Sequence, residues 1–292
     1  MDLLQRIASI IVPVFFVATV GWAYARRTRV DMSTLNRIAV DKLSPFLIYH
    51  ALAARDFRLA DHLPLVMAAV VVILLTGTLA WLLARATGTQ PRTLVPVVMF
   101  GNCGNMGLPL ALLAFGPAGF GAAVALFSVS NLLHSAVGMR ITSTDARTRE
   151  LLVSPLMISS GLGFASAITG VRPPELVMDG MNLLGSASVP IMLFTLGARL
   201  NSLRAETIGS GLLGALARPL LGMGVALMLA WLLGFEGDQR AQLILFGALP
   251  PAVLQFMLAE RYRQEPERVA AMVLLGTLLS VFFIPLALAI GL

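Results

Sequence analysis

One cysteine and one lysine are all this chain has of those two residues, and their scarcity removes several classes of protein. Cys103 alone can form no intrachain disulfide, so the redox compartment is not legible. Lys42 sits in Asp41-Lys42-Leu43, so there is no Gly-Lys-Ser/Thr phosphate loop, and ATP hydrolysis by this chain is not expected. The three histidines and the single cysteine show no metal-ligand spacing, and no metal or cofactor is expected. There is no Gly-x-Ser-x-Gly elbow, and no pair of carboxylates falls inside an apolar run, so an intramembrane hydrolase or transferase would lack its machinery. The chain is not expected to be an enzyme. Charge is scarce as well: 12% of residues are charged, against about 25% in soluble domains.

What is abundant is apolar sequence, 58% of the chain. It falls into ten stretches, near 6–25, 34–54, 63–85, 94–115, 119–139, 151–170, 177–198, 207–233, 240–260 and 268–290. Each approaches the ~20 residues of a spanning helix. The first ends in Ala23-Tyr24-Ala25, which mimics a leader-cleavage site. Its apolar run is too long for a signal peptide, Asp2 stands beside Arg6 before it, and Arg26-Arg27 follows directly, so it is expected to remain as a helix.

The net charge of +6 does not point to nucleic acid, because the arginines lie between apolar runs. The connections after the odd-numbered stretches hold Arg26, Arg27, Arg29, Arg37, Arg85, Arg92, Arg140, Arg147, Arg149, Arg199, Arg204, Arg261, Arg263 and Arg268. The other side holds Arg6, Arg55, Arg58, Arg172 and Arg240. The asymmetry predicts cytoplasmic odd-numbered connections and both termini outside.

Within the fourth stretch, Phe100-Gly-Asn-Cys-Gly-Asn-Met-Gly-Leu-Pro109 puts three glycines, two asparagines and a proline in an apolar run. Such a helix is expected to break. In hydrocarbon, a broken helix persists only against protein or a wet cavity. The motif Asn102-Cys-Gly-Asn-Met-Gly-Leu-Pro109 resembles the signature of the auxin efflux carrier family, whose bacterial members are often called malate or malonate permeases. The segment Leu249-Pro-Pro-Ala-Val-Leu-Gln-Phe-Met-Leu-Ala-Glu-Arg-Tyr262, with the span running to Pro285, resembles that family's last two helices. The resemblance covers nearly the whole chain.

An internal repeat is also visible. Ser44-Pro-Phe-Leu-Ile-Tyr-His-Ala-Leu and Val189-Pro-Ile-Met-Leu-Phe-Thr-Leu-Gly share a proline, an aromatic four places on, and an arginine further on. The offset between Pro45 and Pro190 carries Asn102 to Gly247, just before Pro250-Pro251. Five spans per half is an odd number, so the halves must face opposite ways, a pattern of secondary transporters. The fold expected is an all-α polytopic membrane protein of ten transmembrane helices. They form two inverted five-helix repeats, 1–141 and 151–292, joined by a cytoplasmic linker, 142–150. Resemblance implies that broken helices 4 and 9 cross, as in bile-acid symporters. It also implies a scaffold of spans 1, 2, 6 and 7, and a transport domain of spans 3–5 and 8–10.

Candidate binding residues follow. Asn102 and Asn105 offer amides at the break, where a half-helix beginning near Leu108-Pro109 would aim its N-terminus at an anion. Gly104, Gly107, Pro109, Pro250 and Pro251 shape the two breaks. Gln255 lies a turn beyond the second. Ser128, Asn131 and Ser135 share one face of the fifth span with His134 beside it, lining a cavity or joining helices. His50 follows Pro45 and can face the same cavity. Among ionisable groups in the spans, Arg218, next to Pro219, and Asp41, beside Lys42 near the cytoplasmic end of the second span, are candidate charge partners for the substrate or a coupling element.

The function expected is a secondary transporter of the bacterial inner membrane, moving a small organic anion by alternating access. Proton or sodium coupling, uniport, direction and homodimerisation all stay open. The alternatives are a sodium-coupled, bile-acid-like symporter and a non-transporting membrane sensor. The partners expected are the bilayer and the anion, with no nucleic acid.

Overall fold

A computed structural model describes residues 3–28, 31–143, 153–202 and 208–292. Most of the predicted linker 142–150, with Arg29, Arg147, Arg149 and Arg204, lies outside the described residues. Among those residues the regular structure is helical, with no strand. α1 is Leu3–Arg27; α2 (Met32–Ile38) runs through a π turn, Ala39–Leu43, into α3 (Ser44–Leu52). α4 (Leu59–Thr87) is followed by α5 (Pro91–Met99). The π turn Cys103–Gly107 opens α6 (Leu108–Leu133), and a third π turn, His134–Gly138, leads into α7 (Met139–Thr142). Then come α8 (Pro155–Thr169), α9 (Glu175–Arg199), α10 (Ile208–Leu232), α11 (Gly237–Ala248), α12 (Val253–Arg261) and α13 (Pro266–Gly291).

Among the described residues six stretches are long and apolar enough to cross a membrane: α1, α4, Cys103–Thr142, α9, α10 and α13. The chain is therefore a polytopic helical membrane protein, whose helices satisfy their backbone groups internally, as hydrocarbon requires. Six is fewer than the ten apolar segments of the sequence, and each difference has a physical cause. The segments 94–115 and 240–260 are cut by non-helical residues. The segment 34–54 carries three charged residues, Arg37, Asp41 and Lys42, close together. α8, at 15 residues, reaches only about 22 Å.

The stretch Cys103–Thr142 is not one rod. Gly116 has φ 64 and ψ −173, which only glycine adopts cheaply, and Pro117 follows. A β-carbon placed on Gly104 would lie 3.3 Å from the Phe127 ring, and Cys103 Sγ is 3.7 Å from Ser130 Oγ. In a straight helix Gly104 and Phe127 would be roughly 35 Å apart. The chain doubles back at Gly116, which divides the fourth and fifth apolar segments.

Two of the π turns precede a proline by the same spacing: Ala39–Leu43 before Pro45, and Cys103–Gly107 before Pro109. Proline has no N–H and crowds the carbonyl one turn back, and a widened turn relieves both problems.

Packing is set by glycines, since lipid supplies no hydrophobic force between helices and close backbone approach must. α1 lies on α9 with Gly21 against the Phe194 backbone and Gly197 against that of Ala18. α3 lies on α8 and α9, with Gly163 against Leu52 and Gly185 against Leu47. α10 meets α11 where Gly222 and Gly247 face each other, and α13 meets the second break where Gly276 faces Pro251.

Candidate functional site

The two breaks meet. α5 ends at Met99, and Phe100, Gly101 and Asn102 are not helical; α11 ends at Ala248, and Leu249–Ala252 are not helical before α12. Asn102 N–H donates to the Pro250 carbonyl at 2.7 Å, and Ala252 N–H donates to the Phe100 carbonyl at 3.0 Å. Gly101 and Pro251 thereby form an isolated antiparallel bridge. Each break satisfies part of the backbone that the other exposes, which is why both persist in a buried place.

The first break lies upstream of where the sequence suggested. The half-helix after it opens at Cys103 as a π turn, not near Leu108-Pro109. The Asn102 carbonyl accepts from Met106 N–H at 3.3 Å and Gly107 N–H at 3.0 Å. Asn102 has φ −76 and ψ 61, and Cys103 N–H donates to the Gly101 carbonyl at 2.8 Å, an inverse γ-turn. The backbone N–H and carbonyl of Asn102 are therefore used. Its side chain is buried, 4% exposed, and its amide nitrogen has no protein partner.

Arg218 on α10 reaches this point. It is 1% exposed. Nη1 donates to the Gly247 carbonyl at 3.1 Å and Nη2 to the Phe246 carbonyl at 3.2 Å, while Nε has no partner. These carbonyls end α11, so the guanidinium rests on the negative end of a half-helix. A β-carbon on Gly101 would lie 2.5 Å from Nη2, so the cation touches the first break as well. Among the described residues no carboxylate pairs with it. Such a buried charge is costly unless something else balances it.

The shaping residues group here. Gly107 packs on Leu249 of the other break, Pro109 is buried at the start of α6, Gly104 packs on Phe127, and Pro250 and Pro251 lie against Gly276. Gln255 is buried but engaged: its amide nitrogen donates to the Pro96 carbonyl at 2.8 Å and lies 2.8 Å from His134 Nε2. Because Pro96 offers only an acceptor, that atom is the amide NH2, and His134 Nε2 is the bare ring nitrogen. His134 stacks on Phe100, with centroids 4.3 Å apart and planes 8° apart. Gln255 and His134 thus bind the two broken helices together.

Asn105 is buried and donates to Asn36 Oδ1 at 3.4 Å; the same oxygen accepts from Thr195 Oγ1 at 3.1 Å. This joins the break to α2 and α9. The sequence reasoning passed over Asn36; the available signal was an asparagine in Leu35-Asn36-Arg37-Ile38 at the head of an apolar run, masked by its charged neighbour. Asn131 faces α8, its amide nitrogen 3.5 Å from Met157 Sδ. Ser128 also faces α8, 3.0 Å from Ser160 Oγ, and Ser135 donates to the Asn131 carbonyl at 2.8 Å. That stripe joins helices.

Two candidates are not brought to the breaks. His50 has Asp179 and Glu175 of α9 as its charged neighbours. Asp41 rides in the π turn of the second span, where Lys42 is exposed, and it is not a partner of Arg218.

Paired interruptions inside an apolar helical bundle, beside a buried arginine whose partners among the described residues are carbonyls, put polar groups in the interior of an integral membrane protein. The family model described as membrane transport protein matches residues 7–141 and 139–288, and the chain belongs to that family, the auxin efflux carrier-like transporters that its motifs resemble. Among its relatives, an "Uncharacterized transporter" of Methanothermobacter thermautotrophicus is 26% identical over 273 residues, covering 88% of each chain. A "Putative malonate transporter" of Rhizobium meliloti is 26% identical over 306 residues, covering 95% of this chain and 93% of its own. These names indicate a transporter and not an enzyme.

Proposed function

We propose that this protein is a secondary transporter that moves a small organic anion across the bacterial inner membrane by alternating access. The observation that carries the reading is Arg218, a buried cation with no carboxylate partner among the described residues, set against both breaks beside the unpartnered amide of Asn102. A carboxylate bound between them would accept from Asn102, balance Arg218, and lie near the Gly104 and Asn105 N–H groups that open the π turn. The name of the Rhizobium relative makes malonate the first acid to try.

The architecture proposed is ten crossings in two inverted five-helix repeats, with the breaks as crossed helices 4 and 9. α1–α3, α8 and α9 form a scaffold, and α4–α7 and α10–α13 form the moving unit. Support comes from the packing: α1 lies on α9 and α3 on α8, while α10 lies on α11 and α13. The cavity that touches both breaks, lined by Cys103, Gly107 and Leu249 among others, is ≈ 30 Å³. That is room for little more than water, and in alternating access the helices would part to admit the anion. The arginine asymmetry supports an orientation with both termini outside.

The test is uptake of labelled malonate, malate or indole-3-acetate by proteoliposomes, with and without a sodium gradient. Transport of one acid, with a raised KM in Asn102→Ala and uptake abolished in Arg218→Gln, is expected. Unchanged kinetics in both variants would sink the site. Strict sodium dependence would move the protein to the symporter alternative. Absence of uptake for every acid would favour a sensor.

A further inference from the structure

A second place in the molecule has a different chemistry. Between α1, α9 and α13 runs a groove of ≈ 430 Å³, lined by Val14, Ala18 and Trp22 of α1, Leu196 of α9, and Leu278 and Val281 of α13. Met106, from the π turn after the first break, also lines it. The two hydroxyls in the wall, Thr19 and Thr277, already donate to their own helices, to the Phe15 and Val273 carbonyls at 2.7 and 2.9 Å. The wall therefore offers hydrocarbon and no free hydroxyl proton. Trp22, Leu278 and Val281 are 36%, 40% and 44% exposed, so one side of the groove opens toward lipid.

One end of the groove is charged. Arg26 lies one turn beyond Trp22 on the same face of α1, with its guanidinium carbon 4.8 Å from the centre of the Trp22 ring. Arg27 is next to it and also exposed. Among the described residues neither pairs with a carboxylate. The end is held in place, because Asn201 Nδ2 donates to the Trp22 carbonyl at 2.9 Å. From Val14 to Arg26 the helix rises roughly 18 Å, close to the about 15 Å of one leaflet's hydrocarbon.

We infer that this groove binds an anionic phospholipid, one acyl chain lying along α1 against α9 and α13 and the headgroup phosphate on Arg26 and Arg27. Length, apolar lining and an uncompensated pair of cations at one end match one molecule whose parts have that order. A zwitterionic lipid fits the apolar part and leaves the arginines unbalanced, while free phosphate fits the arginines and leaves the groove unfilled. The inference does not depend on the transport reading, because it concerns equilibrium binding to the resting protein.

Native mass spectrometry of the full chain released from detergent tests it, with phosphatidylglycerol and phosphatidylethanolamine of identical dioleoyl chains in competition and inorganic phosphate in a separate arm. Phosphatidylglycerol is expected to be retained at least tenfold better than phosphatidylethanolamine. Arg26→Gln with Arg27→Gln should weaken phosphatidylglycerol by roughly tenfold or more and abolish the preference. Val281→Trp, which fills the groove from α13 and leaves the arginines intact, should lower occupancy by both lipids. Equal retention of the two lipids overturns the inference. So does full phosphatidylglycerol binding in Val281→Trp, which would place the lipid on the charged surface alone, or its displacement by inorganic phosphate. Should the double arginine variant fail to elute as a monodisperse protein, the wild-type competition and Val281→Trp decide the matter.

Discussion

Gly101→Ala tests whether Arg218 and the two breaks act as one unit. Gly101 is not among the residues with positive φ, so alanine brings no backbone strain of its own. The added methyl would lie 2.5 Å from Arg218 Nη2 and 3.2 Å from both Arg218 Cζ and Leu249 Cβ. Ordinary contact needs about 3.5–4 Å, so the guanidinium must retreat by roughly 1 Å. It is held by bonds of 3.1 and 3.2 Å to two carbonyls at the end of α11, and a retreat of that size breaks at least one. A hydrogen bond to a charged group contributes about 1.5–3 kcal/mol. A loss of about 2 kcal/mol is therefore expected, seen as a lowered Tm in detergent and as at least roughly tenfold weaker anion binding or uptake. Gly104→Ala is the control. Its methyl would sit 3.3 Å from one edge of the Phe127 ring, which can give by a few tenths of an ångström. The same Tm and the same uptake for Gly101→Ala, Gly104→Ala and the parent protein would refute the claim that the arginine is wedged between the breaks.

Two further outcomes are expected. Asn36→Ala removes the oxygen that accepts from Asn105 and Thr195; Thr195 keeps the Met192 carbonyl at 3.0 Å, while Asn105 loses its partner. A destabilisation of about 1–3 kcal/mol follows, Asn36→Asp should recover most of it, and thermal unfolding of the two variants side by side would show whether it does. Hydrogen bonds from the Ser33 hydroxyl first, then the Thr34 hydroxyl and Ser33 N–H, hold the Asp31 carboxyl down from 3.8 to about 2. A depressed value means stability that is present above 3.8 and lost as pH falls through 2, so the cap stays charged from about pH 5 upward. Asp31→Asn should lower the Tm near neutrality and flatten its fall between about pH 4 and 2, leaving little difference from the parent below that; a Tm unchanged at neutral pH would contradict the assignment.

Much of this was readable before any coordinates. The membrane class follows from transfer of apolar residues out of water, a property summed residue by residue, and the resemblance to the family is carried by a contiguous motif at Asn102–Pro109. The interruption of the fourth and ninth segments was also local, because proline and glycine act on the turn that contains them. Its exact place was not. The proline at 109 suggested a half-helix beginning beside it, whereas a π turn absorbs that proline and the chain leaves the helix at Phe100, where Pro250 and Ala252 supply partners for the freed backbone. Polar side chains were the least readable. Gln255, expected to face a substrate, is spent on Pro96 and His134, and Asn131 is turned to Met157. The choice among such partners depends on which helix happens to lie opposite.

By itself the sequence determined that the chain lives in a bilayer as helices, and that two of its apolar runs could not stay helical throughout, because both follow from the chemistry of short windows. Tertiary structure alone decided that the two interruptions bond to each other, that Arg218 comes to rest on the carbonyl end of α11 against Gly101, and that Asn36 reaches Asn105. Those contacts join residues tens to more than a hundred positions apart. Their energy lies in pairs of buried polar groups that only the packed helices bring within hydrogen-bonding distance.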